Sequence, residues 1–384
     1  MKNKIKLLVL IFSFSCDPSN VVENGEVETI PFQIKDMVDV NLSDVVDVNK
    51  IIQLEINEEA LIGKIDKLIQ NGDRIYILDR QIAKSVFCFK NTGEFLFKIN
   101  NFLDNEDFPD MDFAFKDFII DKESGMLEIF DAKNSQILIF NLEGLYQSKI
   151  DVPFSVIQFE KTSGNYLFFR GNSYSKDSVF DFEMIYLEND FYPIRNLRNQ
   201  RREIPEAGES MVSLYPPKVF SKFAQKVRYN DYFTDTIFTI KGGEIANAIY
   251  LDMGSQSPQS TWKTKTNDEI FNHFINRDLR GYIMSKYIVF EDTEKIWFSV
   301  TYEYEGCLAL YDKTTENTTF YRVLDDGKLG LDGYSILTNG TPYQGVNSLL
   351  CVVYAQDRKD EKANFKEEIN PSLLILDLAK LPLN

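Results

Sequence analysis

The chain has 384 residues, 44% of them hydrophobic and 14% aromatic, with 26% charged and a formal net charge of −17. That composition gives ample apolar material for a folded core and excludes a disordered polymer. The acidic balance argues against nucleic-acid partners, whose binding needs a basic face to displace phosphate counterions, and against attraction to anionic lipid surfaces.

In chain order, Lys2, Lys4 and Lys6 precede a short apolar run at 7–14, and Ser15 stands directly before Cys16. A positive start, an apolar stretch too short to span a bilayer as a helix, and a small residue before Cys look like a bacterial lipobox. Residues 1–15 then read as a lipoprotein signal peptide and Cys16 as the lipidated first residue of the mature chain. The expected location is the cell envelope, at the outer membrane, with the lipid anchor as the only membrane contact. An ordinary cleaved signal with an incidental Cys, or a buried first strand, is the alternative. Residues 16–47 are polar without helical or strand period and read as a flexible tether. Strand character starts at 48–56, "VNKIIQLEI".

Two later stretches match: "RIYILDRQIAKSVFCFKNTGEFLFKI" (74–99) and "MLEIFDAKNSQILIFNLEGLYQSKI" (126–150). Ile77-Leu78-Asp79 corresponds to Ile129-Phe130-Asp131 and Gly93 to Gly144, with Asp79 and Asp131 52 residues apart. A period near 50 built of short strands and Asp/Asn/Gly turns is that of propeller blades, because one small sheet cannot bury both faces and radial stacking does. Weaker copies follow at 166–194, 227–251, 287–323 and 347–378, which makes six. The fold class is therefore all-β, a single six-bladed β-propeller over 48–384, with strand 48–56 completing the last blade. An open sandwich or two β domains is the alternative.

Between and within the blades stand the candidate sites. "LDNEDFPDMD" gathers Asp104, Glu106, Asp107, Asp110 and Asp112, either a solvated acidic loop or a Ca²⁺ site lacking the Gly and Glu of an EF-hand loop. Arg170 and Tyr174 end an apolar strand, Arg201 and Arg202 lie in "NLRNQRRE", and Trp262 lies in a polar segment. If these five share one face they make an amphipathic ligand-binding patch; solvated connections and core packing are the alternatives. "TNDEIFNHFINRDLRGY" (266–282) carries capping-box spacing, an apolar stripe and a stopping Gly281, so a short helical insertion is expected between blades 4 and 5, with His273 on its polar side. Cys88, Cys307 and Cys351 lie in or beside apolar strands and read as buried and inert, and no disulfide framework follows.

The stretch 51–99 and "DTIFTI" (235–240) resemble the six-bladed β-propeller lipoproteins of Bacteroides-type bacteria, whose blades are similar to NHL repeats. The resemblance covers most of 48–384 and implies export, a lipid anchor and a closed propeller, but no agreed activity and no catalytic residues to carry over. No G-x-S-x-G, Walker loop, H-E-x-x-H or Cys/His ligand pattern is present. The expected function is a non-catalytic binding or scaffolding module for a glycan, peptide or envelope protein, with no cofactor. The alternatives are a carboxylate-dependent glycan hydrolase or lyase with its acids in the channel, and a structural subunit of an envelope assembly.

Overall fold

The computed structural model describes residues 26–46, 51–100, 102–103, 111–171, 184–187, 194–198, 218–223, 226–230, 234–258, 269, 272–273, 276, 278, 280–324, 328, 341–342, 348–353 and 371–381. Alternating β-branched and aromatic runs broken by Asp, Asn and Gly fold into six antiparallel sheets, each an up-and-down meander. Their inner strands are Lys67–Asn71, Phe115–Asp121, Gln158–Thr162, Phe220–Phe223, Ile283–Glu291 and Thr341–Pro342. Each touches the next, and the last returns to the first, so the sheets close into a six-bladed propeller around a central channel. The core lies between blades, as in the cluster that joins Tyr76, Leu78 and Cys88 of blade 1 to Phe118, Ile129 and Leu138 of blade 2. Cys88, Cys307 and Cys351 are buried free thiols, each pushed up to about 12 by desolvation.

The ring is closed by the strand β3, Ile52–Gln53, which pairs with Ser372–Asp377 through Gln53 opposite Ser372 and Ile52 opposite Leu373. The closing strand expected over 48–56 is thus present, narrowed to two paired residues, with 47–50 outside the described residues. Gly93 makes room for it: φ is 92°, and a Cβ there would stand 1.9 Å from the Gln53 carbonyl oxygen.

The tether expected over 16–47 does not extend through 26–46. The strand β1, Val27–Pro31, lies parallel along the outer strand of blade 4, Glu244–Asp252, and β2, Val38–Asn41, lies parallel along Asn317–Leu324 of blade 5. A helical turn, Leu42–Val45, and a bridge from Val46 to Leu376 carry this belt to blade 6. Only Ile30, Phe32, Val40, Leu42, Val45 and Val46 of it are buried. An outermost strand leaves its far edge in water, so few apolar residues suffice and no long period betrays it. The helical insertion expected near 266–281 lies largely outside the described residues.

The repeated Asp has a structural reason. Asp79 accepts the Gln81 and Ile82 N–H groups on Oδ1 and those of Gly63 and Lys64, at 2.8 and 2.9 Å, on Oδ2. Asp131 accepts from Ala114 and Lys133 on Oδ1 and from the Asn134 and Gln136 side chains on Oδ2. Each carboxylate pins the loop before its blade to the turn between the blade's middle strands. Asp131→Ala leaves those buried donors unmet and is expected to cost about 3 kcal/mol, read from the urea unfolding midpoint.

Candidate functional site

All inner strands run the same way, so their first residues gather at one end of the channel. There Lys67 Nζ lies 2.7 Å from Asp117 Oδ1, and Asp117 Oδ2 accepts the Phe159 N–H at 2.8 Å. The next seams repeat the device with neutral groups: Gln158 Oε1 accepts the Val219 N–H at 2.9 Å, and Asn230 Oδ1 accepts the Ile288 N–H at 3.4 Å. A side chain of one blade thus satisfies the open backbone edge of the following one, which ties blades 1 to 5 in sequence.

Further charges stand around this end. Asp66 is held by Arg80 through Oδ1, at 2.9 Å, and through the Arg80 N–H; burial works against its charge, but these bonds keep the carboxyl below its ordinary range. Lys116 is lowered by desolvation and by the nearby Arg80 guanidinium. Glu160 Oε1 accepts the Lys161 N–H at 2.9 Å and lies 3.7 Å from Lys222 Nζ. Lys218, beside the Val219 N–H bond, is lowered to about 8 by burial and by the Lys67 ammonium, with Glu160 opposing. Among the described residues, leaving aside Asp66 with its partners Arg80 and Lys64, four ammonium groups, Lys67, Lys116, Lys218 and Lys222, stand with two carboxylates, Asp117 and Glu160. In a chain of net charge −17 the described side chains at this end of the channel carry a positive excess.

Two buried ion networks lie away from it. Lys161 bridges Asp121, at 3.0 Å, and Glu128, and Glu128 Oε2 also accepts the Tyr166 hydroxyl at 2.8 Å. Arg228 grips Glu291 with two nitrogens at 2.8 and 3.0 Å, and Lys313 reaches the same carboxylate at 3.0 Å. Both networks join neighbouring blades. Asp121 and Glu128 share the ammonium of Lys161 and so serve as a clamp, and the hydrolase or lyase alternative gains no support from the described carboxylates.

Of the five patch candidates, Arg170 is described and is 1% exposed: its Nε donates to the Ser155 carbonyl at 3.1 Å and its guanidinium stands 5.5 Å from the Phe154 ring centre. It occupies the blade 3 position that Asp79 and Asp131 hold in blades 1 and 2, and contributes packing, not exposed surface. Tyr174, Arg201, Arg202 and Trp262 lie outside the described residues, as do Cys16, Asp104, Glu106, Asp107 and Asp110. Asp112 is exposed and paired with Lys133 at 2.7 Å. His273 Nδ1 faces Asp278 Oδ2 at 3.5 Å. No group of three metal-ligating side chains occurs among the described residues. The channel lysines carry no sequence signal of their own, because each is an ordinary Lys beside a strand and the ring alone brings them together.

A closed ring of six up-and-down sheets with a charged channel end defines an all-β, six-bladed propeller. The chain belongs to the family described as a domain of unknown function, DUF4934, which matches residues 27–381 and so takes in the belt as well as the blades. Among solved structures, a protein of Bacteroides fragilis described as exported superposes with a TM-score of 0.66 at 17% identity, covering 92% of this chain and 99% of that one. A DUF4221 family member from Bacteroides vulgatus gives a TM-score of 0.52 at 9% identity, covering 87% and 96%. At these identities the likeness is one of fold. No curated protein matches the chain. Among the described residues no helix is long and apolar enough to cross a membrane.

Proposed function

We propose that the chain is a cell-envelope propeller, exported and held by a lipid on Cys16 at the outer membrane, that acts as a non-catalytic binding or scaffolding module through the Lys67–Lys218 end of its channel. The observation that carries the reading is the gathering of lysines from blades 1, 2 and 4 at one channel end of an acidic chain, on strands held rigid by side chains of the neighbouring blades. The exported Bacteroides fragilis protein of the same fold and the resemblance to NHL-like lipoproteins support the address. A glycan, a peptide or an envelope protein remains the ligand class.

The test has two arms. Glycan and peptide arrays probed with the full chain are expected to return a captured ligand, which is recovered uncleaved after prolonged incubation; shortened products overturn the non-catalytic reading. Cys16→Ala is expected to move the protein out of the membrane fraction and abolish lipid labelling, and persistent labelling overturns the anchor.

A further inference from the structure

The belt changes where a lipid on Cys16 would hold the ring. Only ten residue steps separate Cys16 from Glu26, whose carbonyl already accepts the Ala248 N–H of the blade 4 outer strand at 3.1 Å. A fully extended chain of that length spans at most about 36 Å, whereas a free tether over 16–47 would allow about 110 Å. The segment that follows Glu26 is not spare length. Val27–Pro31 runs a parallel ladder along blade 4 from Ala248 to Asp252, and the Phe32 N–H donates to the Asp252 carbonyl at 2.9 Å. The Thr318 hydroxyl donates to the Pro31 carbonyl. The Gln256 side-chain amide takes both polar groups of one belt residue, accepting the Ile34 N–H at 2.7 Å and donating to the Ile34 carbonyl at 2.9 Å. Lengthening the tether means breaking these bonds and drawing the buried Phe32 ring from between Phe298 and Phe320, so the chain is first fixed at the rim of blade 4.

In a closed ring of six, blade 1 is diametrically opposed to blade 4 and is the pole farthest from that point. The start of the belt offers the bilayer no apolar side chain: Glu26, Glu28 and Glu244 are exposed and acidic, while Ile30 and Phe32 are buried. This rim therefore faces lipid without entering it. We infer that the ten-residue tether makes the rim of blade 4 the membrane-facing edge of the propeller, with blade 1 as its outward pole; the inference rests on the lipid-anchor reading of Cys16 and adds the orientation of the ring. The partner surface is a lipid bilayer, and a ligand taken up by the module is held beside it.

The experiment is energy transfer from a dye on the full lipidated chain to an acceptor on the headgroups of phosphatidylethanolamine–phosphatidylglycerol vesicles. Lys241 and Thr92 are exposed and stand at the hairpin between the third and fourth strands of blades 4 and 1, so Lys241→Cys and Thr92→Cys place the dye at the two poles. The native thiols Cys88, Cys307 and Cys351 are buried and do not compete for the label. Transfer from Lys241→Cys is expected to be at least about twofold more efficient than from Thr92→Cys, because the short tether bounds only the first distance. Twenty Gly/Ser residues inserted between Gly25 and Glu26 add a coil of about 25 Å and are expected to bring the two efficiencies together. Equal transfer from the two dyes in vesicle-bound protein, higher transfer from Thr92→Cys, or a difference that the insertion leaves unchanged overturns the orientation and leaves the anchor in place. A chain that carries no lipid on Cys16 overturns the anchor reading, and the orientation with it.

Discussion

Phe32→Ala is expected to destabilise the protein by about 4 kcal/mol, more than any exposed blade substitution. Phe32 lies in the belt, fully buried, with its ring centre 4.9 Å from that of Phe298 and 5.2 Å from that of Phe320, both edge-on. Its cluster joins Ile249 and Leu251 of blade 4 to Ile296, Phe298 and Ala309 of blade 5, so the ring is a wedge between two sheets. Truncation empties a site whose walls are strands fixed by their own ladders and therefore slow to collapse inward. Deletion of 27–46 goes further. It bares the outer edges of Glu244–Asp252 and Asn317–Leu324 and removes six buried apolar side chains, so the deleted protein is expected to aggregate as well as to melt early. Light scattering during thermal unfolding checks both, and a deletion protein as stable and monodisperse as the full chain would show the belt to be dispensable.

The second large effect is expected at Lys161. Its ammonium is the shared partner of Asp121 and Glu128, whose side chains are 6% and 2% exposed. Lys161→Met leaves two buried carboxylates without their cation, at a cost of about 3–5 kcal/mol near neutral pH. In the wild type, desolvation pushes the Glu128 carboxyl up, and Lys161 and Tyr166 oppose it. For Asp121, burial also raises the value, but bonds from Ser124, Lys161 and the Glu123 N–H bring it below the ordinary range. A group raised on folding supports the fold at low pH and loses that support as pH rises through its folded value; a lowered carboxyl does the reverse. In Lys161→Met both carboxyls lose the opposing cation and shift upward, so the defect is expected to shrink as pH falls from about 8 to about 5. Urea midpoints of the two proteins at each pH measure it. A pH-independent gap would mean that Lys161 acts through packing on the Tyr166 ring, 4.6 Å from its ammonium.

Both residues illustrate what a linear chain discloses. The blades were legible because Asp79 and Asp131 pin the same loop to the same turn within one repeat, which forces a recurring residue at a fixed spacing. Strand 52–53 was legible because it is apolar and has no hairpin neighbour. The belt was not, since an outermost parallel strand buries one side chain in several and its partners lie more than two hundred residues away. The gathering of the channel lysines was illegible for a stronger reason: it exists only once six sheets have closed, and no local pattern encodes which strands a ring brings together. Arg170 misled in the opposite direction, because a charged residue after an apolar strand reads as surface, whereas here its guanidinium finds a carbonyl and an aromatic face inside the blade seam.

The belt also sets an order of events during synthesis. Residues 27–53 emerge before any blade, yet the hydrogen bonds that fix them reach across 222 residues from Ile34 to Gln256, 287 from Pro31 to Thr318 and 319 from Gln53 to Ser372. Blades 1 to 3 can assemble from adjacent hairpins as they emerge, but the opening segment waits until blades 4, 5 and 6 exist, and loop closure over such spans is slow. A segment that appears before every blade is thus the last to find its place. Until the final blade is complete, its Val, Ile and Phe side chains are exposed to any holding factor or protease that meets the nascent protein.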